Sequence, residues 1–260
     1  MIIYFSGTGN SRAVAEALAS RTSDEALALT SSAPSDIIYS GERLIFVFPI
    51  YSWGVSPLVL GYVGSLNRRF VEMASMHPVW VVCTCGDDTG RGPEMFERAL
   101  RRSGLEASGI WDVHMPNNYV LLPGFDVDSK EVERRKIGAY PARVEYIAGR
   151  ILGEAGERDY HAGKMAALKT GLVYPLFRYF GIYPERWTAT DACVGCGICS
   201  KACPVTNIRM ESGTPKWGAD CVSCLACYHS CPRNAVQYGR MTRKKGQYLF
   251  AGHGDDKNGK

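Results

Sequence analysis

Ten cysteines stand in a chain of 260 residues, and eight of them fall between Cys193 and Cys231. They form two runs of one spacing, Cys193-x2-Cys196-x2-Cys199-x3-Cys203-Pro204 and Cys221-x2-Cys224-x2-Cys227-x3-Cys231-Pro232. Thiols at this density in a reducing compartment serve as metal ligands rather than disulfide partners. Three sulfurs at two-residue gaps wrap one compact centre in a single loop whose N–H groups point inward. Gly195, Gly197, Ser223 and Ala226 are small enough to allow that approach. The proline after each fourth cysteine turns the chain away. Zinc knuckles and ribbons use two Cys-x2-Cys pairs around a longer loop, so the spacing argues against zinc and for iron–sulfur ligation.

The doubled run resembles the bacterial eight-iron ferredoxins, in which the fourth cysteine of each run ligates the other cluster. Carried over position by position, the resemblance implies two [4Fe–4S] clusters. Cys193, Cys196, Cys199 and Cys231 would hold one, and Cys221, Cys224, Cys227 and Cys203 the other. Crossed ligation would keep the clusters close and let electrons pass between them. The remaining pair, Cys83 and Cys85, has no metal-ligating neighbour in sequence, and none of the five histidines takes a ligand role. Cys83 is expected to be a buried strand residue and Cys85 to line a loop.

A second centre of chemistry lies at the start of the chain. Ser6-Gly7-Thr8-Gly9-Asn10-Ser11 joins a short apolar strand to a helix. It lacks the third glycine of a dinucleotide fingerprint and the lysine of a Walker A loop. It offers hydroxyls, an amide and free backbone N–H groups at a helix N-terminus, a nest for one phosphate monoester. The loop resembles the phosphate loop of flavodoxins, which bind FMN non-covalently. Pro49-Ile50-Tyr51-Ser52-Trp53-Gly54 is similar to the flavodoxin loop that stacks an aromatic ring on the isoalloxazine. Thr84-Cys85-Gly86-Asp87-Asp88-Thr89-Gly90 is similar to the loop over the ring's other side. Met115-Pro116-Asn117-Asn118-Tyr119 recurs in anaerobe proteins that fuse flavodoxin-like and ferredoxin domains, and the whole layout resembles that family. The resemblance implies FMN held by Ser6, Thr8, Gly9, Asn10, Ser11, Pro49, Tyr51, Ser52, Trp53, Gly54, Thr84, Cys85, Gly86 and Asp87. Asp87 and Asp88 either lower the flavin's potential or are solvated turn residues. Arg12 either pairs with the phosphate or faces solvent.

The elements that must position these loops alternate. Strands are expected at Ile2–Phe5, Ile37–Tyr39, Arg43–Ile50, Pro78–Cys83 and Gly109–Met115, the last of the series. Helices are expected at Arg12–Ala19 (Ala13, Val14, Ala17 and Leu18 on one face), Pro57–Phe70 and Glu94–Arg102. Such alternation gives an α/β fold with a doubly wound parallel sheet, and the flavodoxin resemblance implies the strand order 2-1-3-4-5. Asp128 and Glu131 form a capping box for a further helix with the stripe Tyr140, Val144, Ile147 and Ile151, kinked or split by Gly138 and Pro141. Met165, Leu168, Leu172, Leu176 and Phe180 recur at helical spacing in an aromatic-rich stretch. That face either packs between domains or meets a membrane surface or partner. The expected division is a flavodoxin-like domain at 1–155, a helical linker at 156–187, a ferredoxin domain at 188–242 and a polar tail at 243–260, disordered beyond Phe250.

Composition bounds the function. Hydrophobic residues at 46% and charged residues at 22% describe a globular chain with a core. No apolar run approaches the ~20 residues of a membrane span; Gly171–Phe177 is the most suggestive and is too short. The first residues lack a basic segment and a cleavage site, so a cytoplasmic location is expected. The formal charge of +4 is misleading, because each cluster and a flavin phosphate would add about −2 apiece. Nucleic-acid binding is therefore not expected. No pyridine-nucleotide fingerprint is present. These readings converge on an electron-transfer protein that interconverts one- and two-electron currency between redox-protein donor and acceptor. The alternative is an FMN-dependent reductase of a small organic acceptor, with Tyr51, Tyr119 or His114 as proton donor.

Overall fold

The structure, a computed structural model, describes residues 1–30, 39, 41–180 and 183–250. The chain builds β1 (Ile2–Tyr4), α1 (Asn10–Thr22), β2 (Ala26–Ala28), β3 (Leu44–Tyr51), β4 (Gly54–Val55), α2 (Pro57–Gly64), α3 (Arg68–Ala74), β5 (Val79–Cys85), α4 (Gly92–Arg102), β6 (Ala107–His114), α5 (Lys130–Leu152) and β7 (Arg158–Asp159). The sheet runs β2-β1-β3-β5-β6-β7, all parallel, with the short β4 folded back antiparallel on β3. Its first five parallel strands follow the flavodoxin-like order 2-1-3-4-5, and β7 adds an outer edge.

Both faces of the sheet are covered, which is why β3 and β5 read as unbroken apolar runs. Leu44, Phe46, Phe48, Val79, Val81 and Cys83 point to a core shared with α2, α3 and α4. Ile45, Val47, Trp80 and Val82 point to the opposite core, where α1 and α5 contribute Val14, Leu18, Val144, Ile147 and Ile151. The period-2 alternation of each strand decides which side chain serves which layer.

Several elements depart from the sequence expectation. The second strand is Ala26–Ala28; the Ile37–Tyr39 segment lies outside the described residues except Tyr39, which is buried. The expected Pro57–Phe70 helix is two helices, because the Asn67 side chain accepts from Phe70 N at 2.8 Å and starts α3 afresh. The cap of α5 is Ser129, whose hydroxyl accepts from Val132 N; Asp128 instead takes Asn117 N at 2.9 Å and Lys136 Nζ at 2.8 Å. α5 runs unbroken across Gly138 and Pro141, both on the solvent side, where a freed carbonyl can reach water. β6 is not the last strand: β7 pairs with it through Arg158 and Asp159, a polar edge pair with no apolar signature.

A helical run at 166–180 follows, made of Ala166–Leu168, a π turn over Lys169–Val173, and Tyr174–Phe180. Thr170 and Tyr174 are buried, while Met165, Leu168, Leu172 and Leu176 are exposed. The stripe read from the sequence therefore faces out instead of packing between domains, and its neighbour, Lys169, Thr170, Val173, Tyr174 and Phe177, faces in. The Phe180 side chain lies outside the described residues. The C-terminal module contains two antiparallel strand pairs, β8 (Trp187–Ala189) with β11 (Val236–Tyr238) and β9 (Ile208–Glu211) with β10 (Thr214–Trp217). Its core of Trp187, Ile208, Leu225, Tyr228, Val236 and Tyr238 also takes in Val120 and Leu121 from the loop after β6. No helix among the described residues is long and apolar enough to cross a membrane.

Candidate functional site

The sheet order reverses between β1 and β3, and ligands of such sheets bind at the carboxyl ends of strands beside that point. A cavity of about 400 Å³ lies there, and that size suits a small cofactor. Ser6, Thr8, Asn10, Ser11, Pro49, Tyr51, Ser52, Trp53, Thr84, Cys85, Gly86 and Asp87 line it. Gly9 and Gly54 stand behind the lining, Gly9 against Phe250 and Gly54 against the Tyr174 ring.

The Ser6–Ser11 loop enters α1 through Gly9 at φ 98°, and the Gly9 N–H is held by Ser6 Oγ at 3.1 Å. Its side chains are committed to bracing. Ser11 Oγ and Thr84 Oγ1 share a hydrogen bond at 2.7 Å, Asn118 Nδ2 donates to Thr8 Oγ1, and Asn10 Nδ2 donates to Pro116 O at 2.9 Å. Tyr248 OH donates to Asn10 Oδ1 at 2.7 Å, and Phe250 N to Thr8 O at 2.9 Å. The described part of the segment expected as a polar tail thus returns to this loop, and Tyr248 is buried. An anion here would meet the N–H groups of the helix start rather than side-chain hydroxyls. Arg12 does not reach the loop; it lies beside Glu16 on the outer face of α1.

The aromatic loop is a tight hairpin between β3 and β4. Its two central residues, Ser52 at φ 47° and Trp53 at φ 63°, are both left-handed. Turns of this kind favour Asn-Gly. The Trp53 backbone is held by Thr170 Oγ1, which donates to Trp53 O at 2.7 Å, while Lys169 Nζ sits 4.9 Å from the Trp53 ring centroid. Tyr51 packs edge-on against Phe5. Of the two acids in the third loop, Asp88 is paired with Lys169 at 2.6 Å, and Asp87 sits exposed at the rim, 3.3 Å from Lys136. Each carboxylate thus has a cation beside it, Lys136 being shared between Asp87 and Asp128.

Among the described residues, three buried polar atoms on the lining lack a protein partner: Tyr119 OH, Ser223 Oγ and Asp88 Oδ1. Buried polar atoms of that kind call for a ligand or water. Together with the N–H nest, the flanking aromatics and the volume, they fit a phosphorylated aromatic cofactor. The lining also includes Leu122, Phe125, Val173, Phe177 and Leu225, none of which was expected at this site from the sequence. Tyr119 ties this apolar side together, edge-on to both Phe125 and Phe177. The aromatic enrichment after Tyr174 was the available signal.

Cys224 closes the cavity from the C-terminal module. A Cβ on Gly7 would stand 2.3 Å from the Cys224 carbonyl oxygen, so the glycine is what lets the two loops touch. Burial pushes the Cys224 thiol up to about 12. A buried thiolate needs compensation by a bound metal centre. Cys203 Sγ, Cys221 Sγ and Cys231 Sγ accept backbone N–H bonds from Asn207, Ser223 and Ala235 at 3.2–3.4 Å. Such N–H···S bonds stabilise thiolate and tune iron–sulfur potentials. Eight thiols in two loops of one spacing are a donor set that fits iron–sulfur ligation, and Cys193, Cys196, Cys199 and Cys231 line one small cavity. His229 joins the module to the sheet domain: its Nε2 meets Asn118 O at 2.8 Å, and its Nδ1 accepts from Tyr248 N at 3.1 Å. Burial lowers its pKa to about 4, so the ring is neutral, with Nε2 the donor.

Cys85 has neighbours that sequence spacing did not reveal. Its sulfur, the Asp112 carboxylate and the His114 ring lie within 4.8 Å of one another. Asp112 is already engaged by Arg143 at 3.2 Å and by His161 N at 2.7 Å, and burial holds the Cys85 thiol protonated. His114 lines a separate cavity with Arg143 and Asp159 rather than the one at the strand ends.

Residues 192–236 match the family model of the 4Fe–4S dicluster domain. No curated protein matches the chain in sequence. Among solved structures, the Trp repressor binding protein of Bacillus subtilis is similar at 19% identity over 60% of this chain and 99% of its own, with a TM-score of 0.42. The flavodoxin of Streptococcus pneumoniae TIGR4 is similar at 15% identity over 57% of this chain and 97% of its own, TM-score 0.37. That of Megasphaera elsdenii is similar at 16% over 55% and 99%, TM-score 0.37. The fold assignment rests on the strand order of this sheet rather than on those scores. The chain thus joins an α/β domain with the flavodoxin-like strand order to a C-terminal 4Fe–4S dicluster domain.

Proposed function

We propose that this chain carries FMN in the cavity at the strand ends and two [4Fe–4S] clusters in the C-terminal module, and that electrons move between them within one molecule. When bound, FMN would take one or two electrons and each cluster one, so the chain would link one- and two-electron donors and acceptors. The observation that carries this reading is the Gly7–Cys224 contact, with Ser223, Cys224 and Leu225 forming one side of the cavity. A cysteine of the module is thereby part of the flavin site.

The chain's own residues have separable tasks in this reading. The N–H groups that open α1 hold the phosphate. Trp53 and Tyr51 flank the ring system, and Lys169 fixes Trp53 while neutralising Asp88. Leu225 and the apolar side of Val173 and Phe177 exclude water. Cys221, Cys224, Cys227 and Cys203 would ligate the cluster next to the cavity, and Cys193, Cys196, Cys199 and Cys231 the one farther out. Redox proteins would exchange electrons at the outer cluster.

A second reading, an FMN-dependent reductase of a small organic acceptor, draws support from the apolar lining at Leu122, Phe125 and Phe177 and the unpartnered Tyr119 hydroxyl. Among the proton donors considered, Tyr119 and Tyr51 line the cavity and His114 does not.

The test is an anaerobic reductive titration of reconstituted protein, followed by optical absorption and electron paramagnetic resonance. The expected content is one flavin and about eight iron atoms per chain. Substoichiometric reductant should distribute between flavin and clusters at a rate independent of protein concentration. A rate that falls on dilution would refute the intramolecular path, and loss of the flavin would leave only the ferredoxin. A screen of acceptors with the same preparation separates the second reading.

A further inference from the structure

The 166–180 helix is anchored by one face and bare on the other. Tyr174 packs on Gly54 and its hydroxyl donates to Val55 O, and Thr170 and Lys169 tie the same face to Trp53 and Asp88. On the opposite face Met165 is 66% exposed, Leu172 52% and Tyr179 79%, with Leu168 and Leu176 between them. Five large side chains thus form one stripe along a helix about 22 Å long. Five such residues in one line on a folded domain are an interaction surface rather than scatter.

Charge says what covers it. From Tyr160 to Pro184 the sequence has no Asp or Glu, and it carries Lys164, Lys169 and Arg178. Lys169 is spent on Asp88, while Lys164 and Arg178 are exposed near the two ends of the stripe, Arg178 also neighbouring the Tyr174 hydroxyl. A second copy pairing antiparallel along this stripe would bring Lys164 of each helix beside Arg178 of the other, with no acid on the helix to relieve them. The pattern instead complements a negative, apolar-backed surface, and a helix with apolar residues on one side and bases at its flanks is built to lie in the plane of such an interface. The cavity lies under the inner face of the same helix: Phe177 lines it, and the exposed lining residues Leu122 and Phe125 mark its mouth. We propose that the outer face of the 166–180 helix docks on an anionic lipid bilayer and holds the cavity mouth against it. The helix lies on the surface without crossing it.

The test uses reconstituted full-length protein and sucrose-loaded vesicles, either pure phosphatidylcholine or phosphatidylcholine with phosphatidylglycerol, with light scattering to give the oligomeric state. Wild type should sediment with the anionic vesicles and less with the neutral ones, and high salt should weaken the difference. L172E/L176E alters only exposed side chains and should abolish sedimentation with flavin and iron content unchanged. K164E/R178E should weaken binding to anionic vesicles by about tenfold or more. Wild type that ignores both vesicles would overturn the proposal and point to an acidic protein. A wild-type dimer that L172E/L176E splits, without vesicle binding, would overturn it in favour of a second copy. Vesicle binding unchanged in both variants would overturn it as well.

Discussion

The two cysteine loops of the C-terminal module repeat at an interval of 28 residues, and they differ in what they face. Their backbones agree closely. Gly195 and Ser223, Gly197 and Leu225, and Thr206 and Asn234 are all left-handed, so each step of the first loop is retraced in the second. Their side chains do not agree. The outer loop meets this geometry with two glycines and leaves Val194 65% exposed, while the inner loop places Leu225 at 4%. A left-handed residue with a side chain costs about 1–2 kcal/mol relative to one in an ordinary conformation. The inner loop accepts that cost at Leu225 and recovers it by burying the side chain against the cavity. Backbone follows the needs of sulfur ligation, whereas side chains follow the neighbour. The neighbour of the inner loop is the flavodoxin-like domain.

The largest effect should come from separating the inner loop from that neighbour. Gly7→Val places atoms where the Cys224 carbonyl stands, and overpacking of this kind costs about 1–3 kcal/mol. Electron exchange between flavin and clusters, read by rapid-mixing absorption, should collapse to its intermolecular rate while iron content persists. A Gly195→Val change at the outer loop should leave the exchange between flavin and inner cluster in place.

Next come His229 and its counterpart in the repeat, Lys201. His229→Ala strands Asn118 O and Tyr248 N and should cost about 3 kcal/mol, whereas exposed Lys201→Ala should stay within about 0.5 kcal/mol. Thermal loss of visible absorbance measures both. Equal costs would mean that the inner loop is not tied to the sheet domain as described.

Leu225→Ala should cost about 2 kcal/mol, mostly through the emptied volume beside the cavity, and should loosen flavin retention. Gly197→Ala should cost about 1 kcal/mol through backbone strain alone and leave flavin untouched. Denaturant midpoints and flavin content after desalting separate the two.

The smallest effect extends the left-handed argument to the aromatic hairpin. Ser52→Asn suits that backbone better and should stabilise the chain by about 0.5 kcal/mol with flavin retained, as a shift in denaturant midpoint. Destabilisation would mean that the serine hydroxyl has a role the turn geometry does not reveal.

Much of this was legible because sulfur chemistry and strand ends leave local marks. Cysteine spacing needs no tertiary knowledge, and the loops at Ser6, Pro49 and Thr84 each follow an apolar run whose direction is set by the sheet. The facing of the 166–180 helix was not legible, because Met165-Leu168-Leu172-Leu176 and Thr170-Val173-Tyr174-Phe177 are both apolar stripes at helical spacing. Only the contacts with Gly54 and Trp53 choose between them. The β7 edge is polar and two residues long, so it carries no periodic signal. The Asp128 capping box failed for a similar reason: Ser129 competes for the same turn, and Lys136 recruits Asp128 from a full two turns away. Cys85, Asp112 and His114 meet across adjacent parallel strands, a proximity set by register rather than by sequence distance.

The return of Tyr248 and Phe250 to Asn10 and Thr8 also orders events during synthesis. Asn10 is made 238 residues before its partner Tyr248, with the whole cysteine module between them. A nascent chain that has finished its sheet still lacks those two hydrogen bonds until the ferredoxin module has followed it out. The full bracing of the Ser6–Ser11 loop is thus deferred until the cysteine module has been made. A product that stops before Tyr248 would lack both hydrogen bonds and, under the proposed function, would release its flavin instead of accumulating as a flavin domain with no relay attached.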